Sequence, residues 1–440
     1  MCWNYNINKQ YNNSNANIQK KSFNYIDNNT YSEFSKDINP IYNINVSYNN
    51  NIAYYNNPNS NFNDNLKDNI NSCNDSKDLS YSNSYAYPKS SVYNNSNAND
   101  NIYGYNNSYG YPYNYNCNNI KINGIYGFIA NKYGNNCFMN SSLQNILHCE
   151  NFIDRIHSIS DKNLFNKPLT REIKILISQI YKGANELDSG KIKQILSETE
   201  EKYKYDEQND AHEFITIFLH RLLEELKGIS PNDYKIEKYP KNELELKAFN
   251  NLENRFFLKY KSFLLNLFYG RLKIEYICQN GHIALIKFNN FNTLILPYPE
   301  KSNTIEDLLN LYQKEKFHND TIFCNRCQME CKFAISTKIY NIPKYLILCL
   351  EDESIYHSSS IKFPLILKTD KFMKDDYQNG NYYLNSIIEY SGNRNKGHYT
   401  AIVSQDNKWY SISDSYYHQV EESEMLKSSA KILFYSRIGI

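Results

Sequence analysis

The composition of this chain breaks at about Lys121, and the break confines any packed domain to the residues after it. Ahead of it the sequence reads "YNNNIAYYNNPNSNFNDN" and "NIYGYNNSYGYPYNYN", rich in Asn, Tyr and Ser and sparse in aliphatic residues. Such a segment buries too little apolar area to offset the entropy of ordering, so residues 1–120 are expected to be a disordered low-complexity segment. A neutral spacer is its simplest reading. A localisation or condensate role is the other, because alternating polar and aromatic residues suit self-association.

Beyond the break, aliphatic residues recur at regular spacings. In "REIKILISQIYK" (Arg171–Lys182), Ile173, Leu176, Ile177 and Ile180 share one helical face. "DAHEFITIFLHRLLEELK" (Asp210–Lys227) carries Phe214, Ile217, Phe218 and Leu222 on an inner stripe, and Gly228 and Pro231 supply the stop. From Phe268 the runs become strand-like: "GRLKIEYIC", "NTLILPYP", "AISTKIYNIPKYLILCLE", "YYLNSIIEYS", "HYTAIVSQDNKWYSIS" and "AKILFYSR". Helices first and strands second describe an α+β domain with one substantial core over residues 121–440.

Bulk properties remove some function classes. The net charge of +1 supplies no global field toward nucleic acid or an anionic membrane. No apolar run approaches the roughly 18 residues a membrane span needs, and the first residues carry no apolar signal core. Ten unevenly spread cysteines are too few for a disulfide scaffold in a chain of 440 residues, so a reducing compartment, cytoplasm or nucleus, is expected.

One cysteine sits where a Gly/Asn loop gives way to an apolar helix, in "GNNCFMNSSLQNIL" (Gly134–Leu147). Cys137 has two readings. Free cysteines are usually buried and inert. A thiol at a helix N-terminus, however, feels the positive end of the dipole, which lowers its pKa. A thiolate nucleophile needs a base, and the base an orienting partner. His398 opens an apolar strand in "NRNKGHYTAIV", and Ser413 and Asp414 follow the next strand in "NKWYSISDSYYHQV". Neighbouring antiparallel strands can bring these side chains together. The order Cys, His, polar third member matches papain-like proteases. Alternation along a strand lets only one of Ser413 and Asp414 face His398 if both are in regular strand, and charge favours Asp414, whose carboxylate would stabilise the imidazolium.

Four stretches together resemble the ubiquitin-specific protease family: the cysteine stretch above, "QNDAHEF" (Gln208–Phe214), "YLNSIIEYSGNRNKGHYTAIV" with "WYSISDS", and the closing "AKILFYSR". The resemblance implies a papain-like fold of thumb (about 124–265), zinc-bearing fingers (about 266–340) and palm (about 341–440). It implies a cysteine-type deubiquitinase that hydrolyses the bond at the C-terminal glycine of ubiquitin, with Cys137 as nucleophile and His398 as general base. Ubiquitin and ubiquitinated proteins are the implied partners, and no cofactor joins the chemistry. Gln208, Asp210 and Glu213 would line the channel for ubiquitin's basic tail, and Tyr399 would pack against its glycine pair. In the fingers, "EYICQNGH" and "TIFCNRCQMEC" offer Cys278, Cys324 and Cys327 for a structural zinc, with His282 or Cys331 as fourth ligand.

The sequence departs from that family in two places. Where the family places an oxyanion-donating Asn, five residues before the cysteine, this chain has Lys132; Asn131 or Asn135 is the substitute. Four residues past Trp409 stands Ser413 instead of the commoner Asp or Asn; the resemblance's register against Trp409 makes Ser413 the residue that orients His398, with Asp414 bracing the loop or the oxyanion side. These departures keep two alternatives in view: a weakly active or inactive ubiquitin-binding scaffold of the same fold, and a protease for a ubiquitin-like modifier.

Overall fold

The computed structural model describes residues 124–129, 135–297, 304–351, 361–373, 380–392 and 396–438. The segment 1–120 lies outside these residues. Helices fill the first half: α1 (Cys137–Leu147), α2 (Glu150–Ser158), α3 (Pro168–Tyr181), α4 (Gly190–Ser197), α5 (Ala211–Leu226), α6 (Glu243–Leu252) and α7 (Phe263–Phe268). Two short strands, β1 (Gly127–Phe128) and β2 (Glu186–Leu187), pair in parallel among them.

Strands fill the second half: β3 (Gly270–Cys278), β4 (Ile283–Phe291), β5 (Thr293–Pro297), β6 (Lys316–Cys324), β7 (Met329–Asn341), β8 (Tyr345–Glu351), β9 (Ile366–Lys368), β10 (Asn381–Gly392), β11 (Gly397–Gln405), β12 (Lys408–Ser413), β13 (Tyr416–Val420) and β14 (Ala430–Arg437), with α8 (Ile305–Tyr312) and α9 (Glu422–Met425) between them. This is the α+β order that the periodicities predict. Among the described residues no helix is long and apolar enough to cross a membrane.

Caps written into the sequence start several helices. Asp210 accepts the Glu213 N–H at 3.0 Å ahead of α5, Asn242 accepts the Glu245 N–H at 2.8 Å ahead of α6, and Pro168 stands in the first turn of α3. The predicted face of α3 is buried at all four positions. On α5 the stripe sits slightly rotated: Phe214, Phe218 and Leu222 are buried, Ile217 lies at the core margin, and Ile215 and Leu219 are buried instead.

The larger sheet runs β13-β12-β11-β10-β14-β8-β5, with β9 on β10; all its pairs are antiparallel except β5 with β8. Its central strands are covered on both faces. Along β14, Ile432 and Phe434 join the core shared with the helices, while Leu433 and Tyr435 join a second core with Leu308 and Leu309 of α8. A strand buried on both faces reads as a continuous apolar run, which is what "AKILFYSR" is. The smaller antiparallel sheet runs β4-β3-β7-β6. The stretch 266–340 therefore divides between two sheets, because β5 pairs with β8 and leaves the smaller sheet interrupted in sequence.

At the base of that smaller sheet, Arg271 and Glu253 form a buried ion pair at 2.7 Å. The Arg271 guanidinium also reaches Asn341 Oδ1 at 3.2 Å, bonds the Tyr234 hydroxyl, and lies 3.8 Å from the Phe257 ring centroid. Glu253 follows α6 and Arg271 opens β3, so the pair joins the helical half to the smaller sheet.

Candidate active site

The nucleophile candidate stands at the first residue of α1, a helix buried along its whole length. Polar side chains on such a helix need partners, and they find them across the fold. Gln144 Nε2 donates to the Tyr126 carbonyl at 2.6 Å, and Asn145 Nδ2 donates to the Ser141 and Ile387 carbonyls at 2.8 and 3.3 Å. These bonds seat α1 between the N-terminal stretch and β10.

Cys137 is 8% exposed. Burial pushes its thiol pKa up; the Tyr399 backbone N–H lowers it; the Asp414 carboxylate raises it again; and the first-turn N–H groups of Phe138 and Cys137 lower it. The net direction is upward. The helix N-terminus alone predicts the opposite, and desolvation outweighs it.

Strand β11 opens at Gly397 and pairs with β12, so His398 and Ser413 occupy adjoining strand ends. His398 Nε2 lies 2.8 Å from Ser413 Oγ. Nδ1 is then the ring nitrogen left for a thiol proton. The next residue, Tyr399, aims its N–H at the Cys137 sulfur, so imidazole and thiol belong to one site. Asp414 instead accepts from Asn140 Nδ2 at 2.7 Å. His148, also near α1, is 6% exposed and stacked on Tyr126. Burial pushes it down to about 4 and leaves it neutral, a structural ring.

The remaining candidates gather between α5 and β11. Gln208 and Gly397 bond reciprocally: Nε2 donates to the Gly397 carbonyl at 2.8 Å, and the Gly397 N–H donates to Oε1 at 3.1 Å. Asp210 Oδ2 accepts from the Tyr399 hydroxyl at 3.1 Å, while Oδ1 caps α5. Burial, with Asp210 alongside, pushes the Tyr399 hydroxyl well up. Glu213 turns to Lys202 at 2.5 Å. A Cβ on Gly397 would meet the Tyr390 ring at 2.1 Å, and that ring packs tilted against Tyr399, with centroids 4.7 Å apart.

Of the two oxyanion candidates, Asn131 lies outside the described residues. Asn135 gives its amide N–H to the Asp206 carbonyl at 3.0 Å. Sequence reasoning overlooked Asn140, Ser189, Gly127 and Tyr390. Asn140 was visible as a polar residue one turn after the cysteine, but its partner lies in a distant turn.

Cys278, His282, Cys324 and Cys327 converge at the end of the smaller sheet, with their ligand atoms all within 4.8 Å of one another. Cys278 Sγ to Cys327 Sγ is 3.9 Å, His282 Nδ1 to Cys327 Sγ is 3.3 Å, and Cys324 Sγ to His282 Nδ1 is 3.9 Å. A zinc tetrahedron with bonds of about 2.0–2.3 Å has edges of roughly 3.3–3.8 Å, close to these separations, so the donor set fits. Asn280 Nδ2 donates to Cys327 Sγ at 3.2 Å. Cys331 is buried beside the group and stands outside the four.

The sequence family described as ubiquitin carboxyl-terminal hydrolase matches residues 129–435. The chain is 27% identical to the ubiquitin carboxyl-terminal hydrolase Usp2 of Drosophila melanogaster over 326 residues, 69% of this chain and 34% of that relative. It is 26% identical to ubiquitin carboxyl-terminal hydrolase 2 of Bos taurus over 330 residues, 69% of this chain and 54% of the relative. A probable ubiquitin carboxyl-terminal hydrolase 4 of Schizosaccharomyces pombe is 26% identical over 344 residues, 70% and 58% respectively. The chain thus spans between a third and somewhat over half of these relatives. In fold it is similar to a chain of the SAGA Ubp8/Sgf11/Sus1/Sgf73 DUB module bound to ubiquitin aldehyde, with a TM-score of 0.57 at 20% identity, covering 73% of this chain and 71% of that one. With the family matching more than half of its length, the chain belongs to the ubiquitin carboxyl-terminal hydrolase family.

Proposed function

We propose that this chain is a thiol-dependent deubiquitinase that cleaves thioester, peptide or isopeptide bonds at the C-terminal glycine of ubiquitin, with ubiquitinated proteins as substrates. The observation that carries the reading is the His398–Ser413 contact, one residue from the Tyr399 N–H at the Cys137 sulfur.

His398 takes the Cys137 proton, and the thiolate attacks the carbonyl of ubiquitin's last glycine. The N–H groups of Cys137 and Phe138 at the start of α1, which already face the thiol, are the oxyanion donors at hand. The tetrahedral intermediate collapses as His398 protonates the leaving amine. Water, deprotonated by the same imidazole, then hydrolyses the thioester and restores the thiol. Ser413 orients the ring by a neutral hydrogen bond and adds no charge to stabilise imidazolium. In this reading Gln208, Asp210 and Glu213 line the channel for ubiquitin's tail, Tyr399 packs against its glycine pair beside Tyr390, and the carboxylates of Asp210 and Glu213 suit the tail's basic residues.

The residues fall into thumb, fingers and palm regions, with β5 and α8 assigned to the palm. Cys278, His282, Cys324 and Cys327 would hold a structural zinc, which braces the fingers and takes no part in the reaction. The cytoplasm or nucleus suits a free thiol nucleophile. A ubiquitin carrying a C-terminal electrophile tests the reading. Wild-type protein should gain the mass of one ubiquitin at Cys137, and Cys137→Ala should not. Binding without an adduct would make it a scaffold, and preference for a ubiquitin-like probe would change the substrate.

A further inference from the structure

The turn after Ser413 is held by more contacts than a hairpin requires. Asp414 has a φ of +52°, in the left-handed region that non-glycine residues seldom adopt. Three contacts keep it there. The Phe128 N–H donates to the Asp414 carbonyl at 2.9 Å. Gly127 packs so closely that a Cβ would come within 2.6 Å of the Asp414 oxygen and the Ser415 Cα. Asn140 Nδ2 donates to Asp414 Oδ1 at 2.7 Å.

Asn140 is itself held. It is 2% exposed, and Ser189 Oγ, equally buried, donates to its Oδ1 at 2.7 Å. With the carbonyl oxygen engaged by a hydroxyl donor, the amide must present its NH2 to the carboxylate. The bond to Asp414 is charge-assisted and fixed in direction. Cys137 and Asn140 lie one turn apart on α1, so the nucleophile and the anchor of the turn belong to the same rigid element.

We propose that Asn140, oriented by Ser189, is a positioning residue that ties Asp414 to the nucleophile's own helix and thereby keeps Ser413 against His398. Ser413 and Asp414 are consecutive, so a turn released at Asp414 rotates the peptide between them and carries Ser413 Oγ off the imidazole. The same bond draws charge from a carboxylate that otherwise opposes thiolate formation at Cys137. The consequence for turnover rests on the deubiquitinase reading; the consequence for thiol reactivity does not.

The test is a double-mutant cycle of Asn140→Ala, Asp414→Ala and the pair, each checked by melting temperature, with two readouts. For a ubiquitin C-terminal fluorogenic substrate, Asn140→Ala should lower kcat about tenfold or more, the scale of a hydrogen bond to a charged group, with KM within about twofold. In the Asp414→Ala background the same substitution should change kcat less than about twofold. Iodoacetamide modification of Cys137, followed across pH by mass spectrometry, needs no ubiquitin. Its midpoint should move up in Asn140→Ala and stay unmoved by that substitution once Asp414 is absent. Ser189→Ala should show the Asn140→Ala effects in weaker form. Equal effects of Asn140→Ala with and without Asp414, in either readout, would overturn the proposal, as would a lowered melting temperature with unchanged kcat and alkylation profile. If the wild type ignores the ubiquitin substrate while the alkylation coupling is present, the substrate assignment fails and the positioning role stands.

Discussion

His398 Nε2 meets Ser413 Oγ at 2.8 Å, a contact between two strand ends that carries no formal charge on the hydroxyl side. Asp414, the neighbouring carboxylate, is withdrawn to Asn140 because the chain leaves β12 in a left-handed turn at that residue. An imidazole oriented in this way is aligned without an anion to stabilise its protonated form, and this sets the first expectation.

Ser413→Ala should reduce kcat/KM about tenfold, since a neutral hydrogen bond contributes about 0.5–1.5 kcal/mol. Ser413→Asp should preserve or raise activity by placing a carboxylate against the imidazolium. The measurement is kcat/KM on a ubiquitin C-terminal fluorogenic substrate with folding verified. A silent Ser413→Ala beside a hundredfold loss in Asp414→Ala would transfer the orienting role to Asp414.

The Cys137 thiol is raised by burial and, after the Tyr399 N–H that lowers it, raised again by the Asp414 carboxylate. An acid with a raised pKa stays protonated at neutral pH, so alkylation of the free protein should climb as pH rises into the alkaline range. Asp414→Asn removes a negative neighbour and should shift that profile to lower pH. An unchanged or upward-shifted midpoint for Asp414→Asn, from iodoacetamide rates at Cys137, would contradict this account.

Freshly purified protein should carry about one zinc per chain by elemental analysis, and Cys324→Ser should lose it, lower the melting temperature and weaken ubiquitin capture. A structural zinc site contributes directly to folding free energy. A metal content well below one per chain in the wild type would remove the basis for this expectation.

Arg271 and Glu253 are 4% and 3% exposed, so neither charge has water to fall back on. Arg271→Ala should destabilise the fold by about 3–5 kcal/mol, the usual cost of leaving one partner of a buried pair uncompensated. Replacing both partners with apolar residues should recover part of the loss. Chemical denaturation of the wild type and these two variants would reveal it, and a loss below about 1 kcal/mol in Arg271→Ala would show that the pair is not the tie between the two halves.

Deleting residues 1 to about 115 should leave kcat/KM on a minimal ubiquitin substrate nearly unchanged. The family match begins at 129, and Ile125, which the truncation keeps, packs with Ala401, Val403 and Ile412. A tenfold loss in a folded truncation would mean that the Asn/Tyr-rich segment takes part in the reaction.

By itself the sequence determined the local structure. The caps at Asp210 and Asn242, the apolar face of α3, the start of α1 at Cys137 and the run "AKILFYSR" all depend on residues a few positions apart, whose preferences are set by backbone geometry and spacing. Tertiary structure alone decided which distant parts of the chain meet. Asn140 and Asp414 are 274 positions apart, and nothing in either stretch specifies that they come together. The same holds for Asn135, which bonds Asp206, and for β5, which passes through the middle of the smaller sheet's sequence to pair with β8. The Cys137 thiol shows the reason most plainly. A helix dipole is a local property and pulls the pKa down, whereas burial depends on everything packed around the sulfur, and here burial prevails.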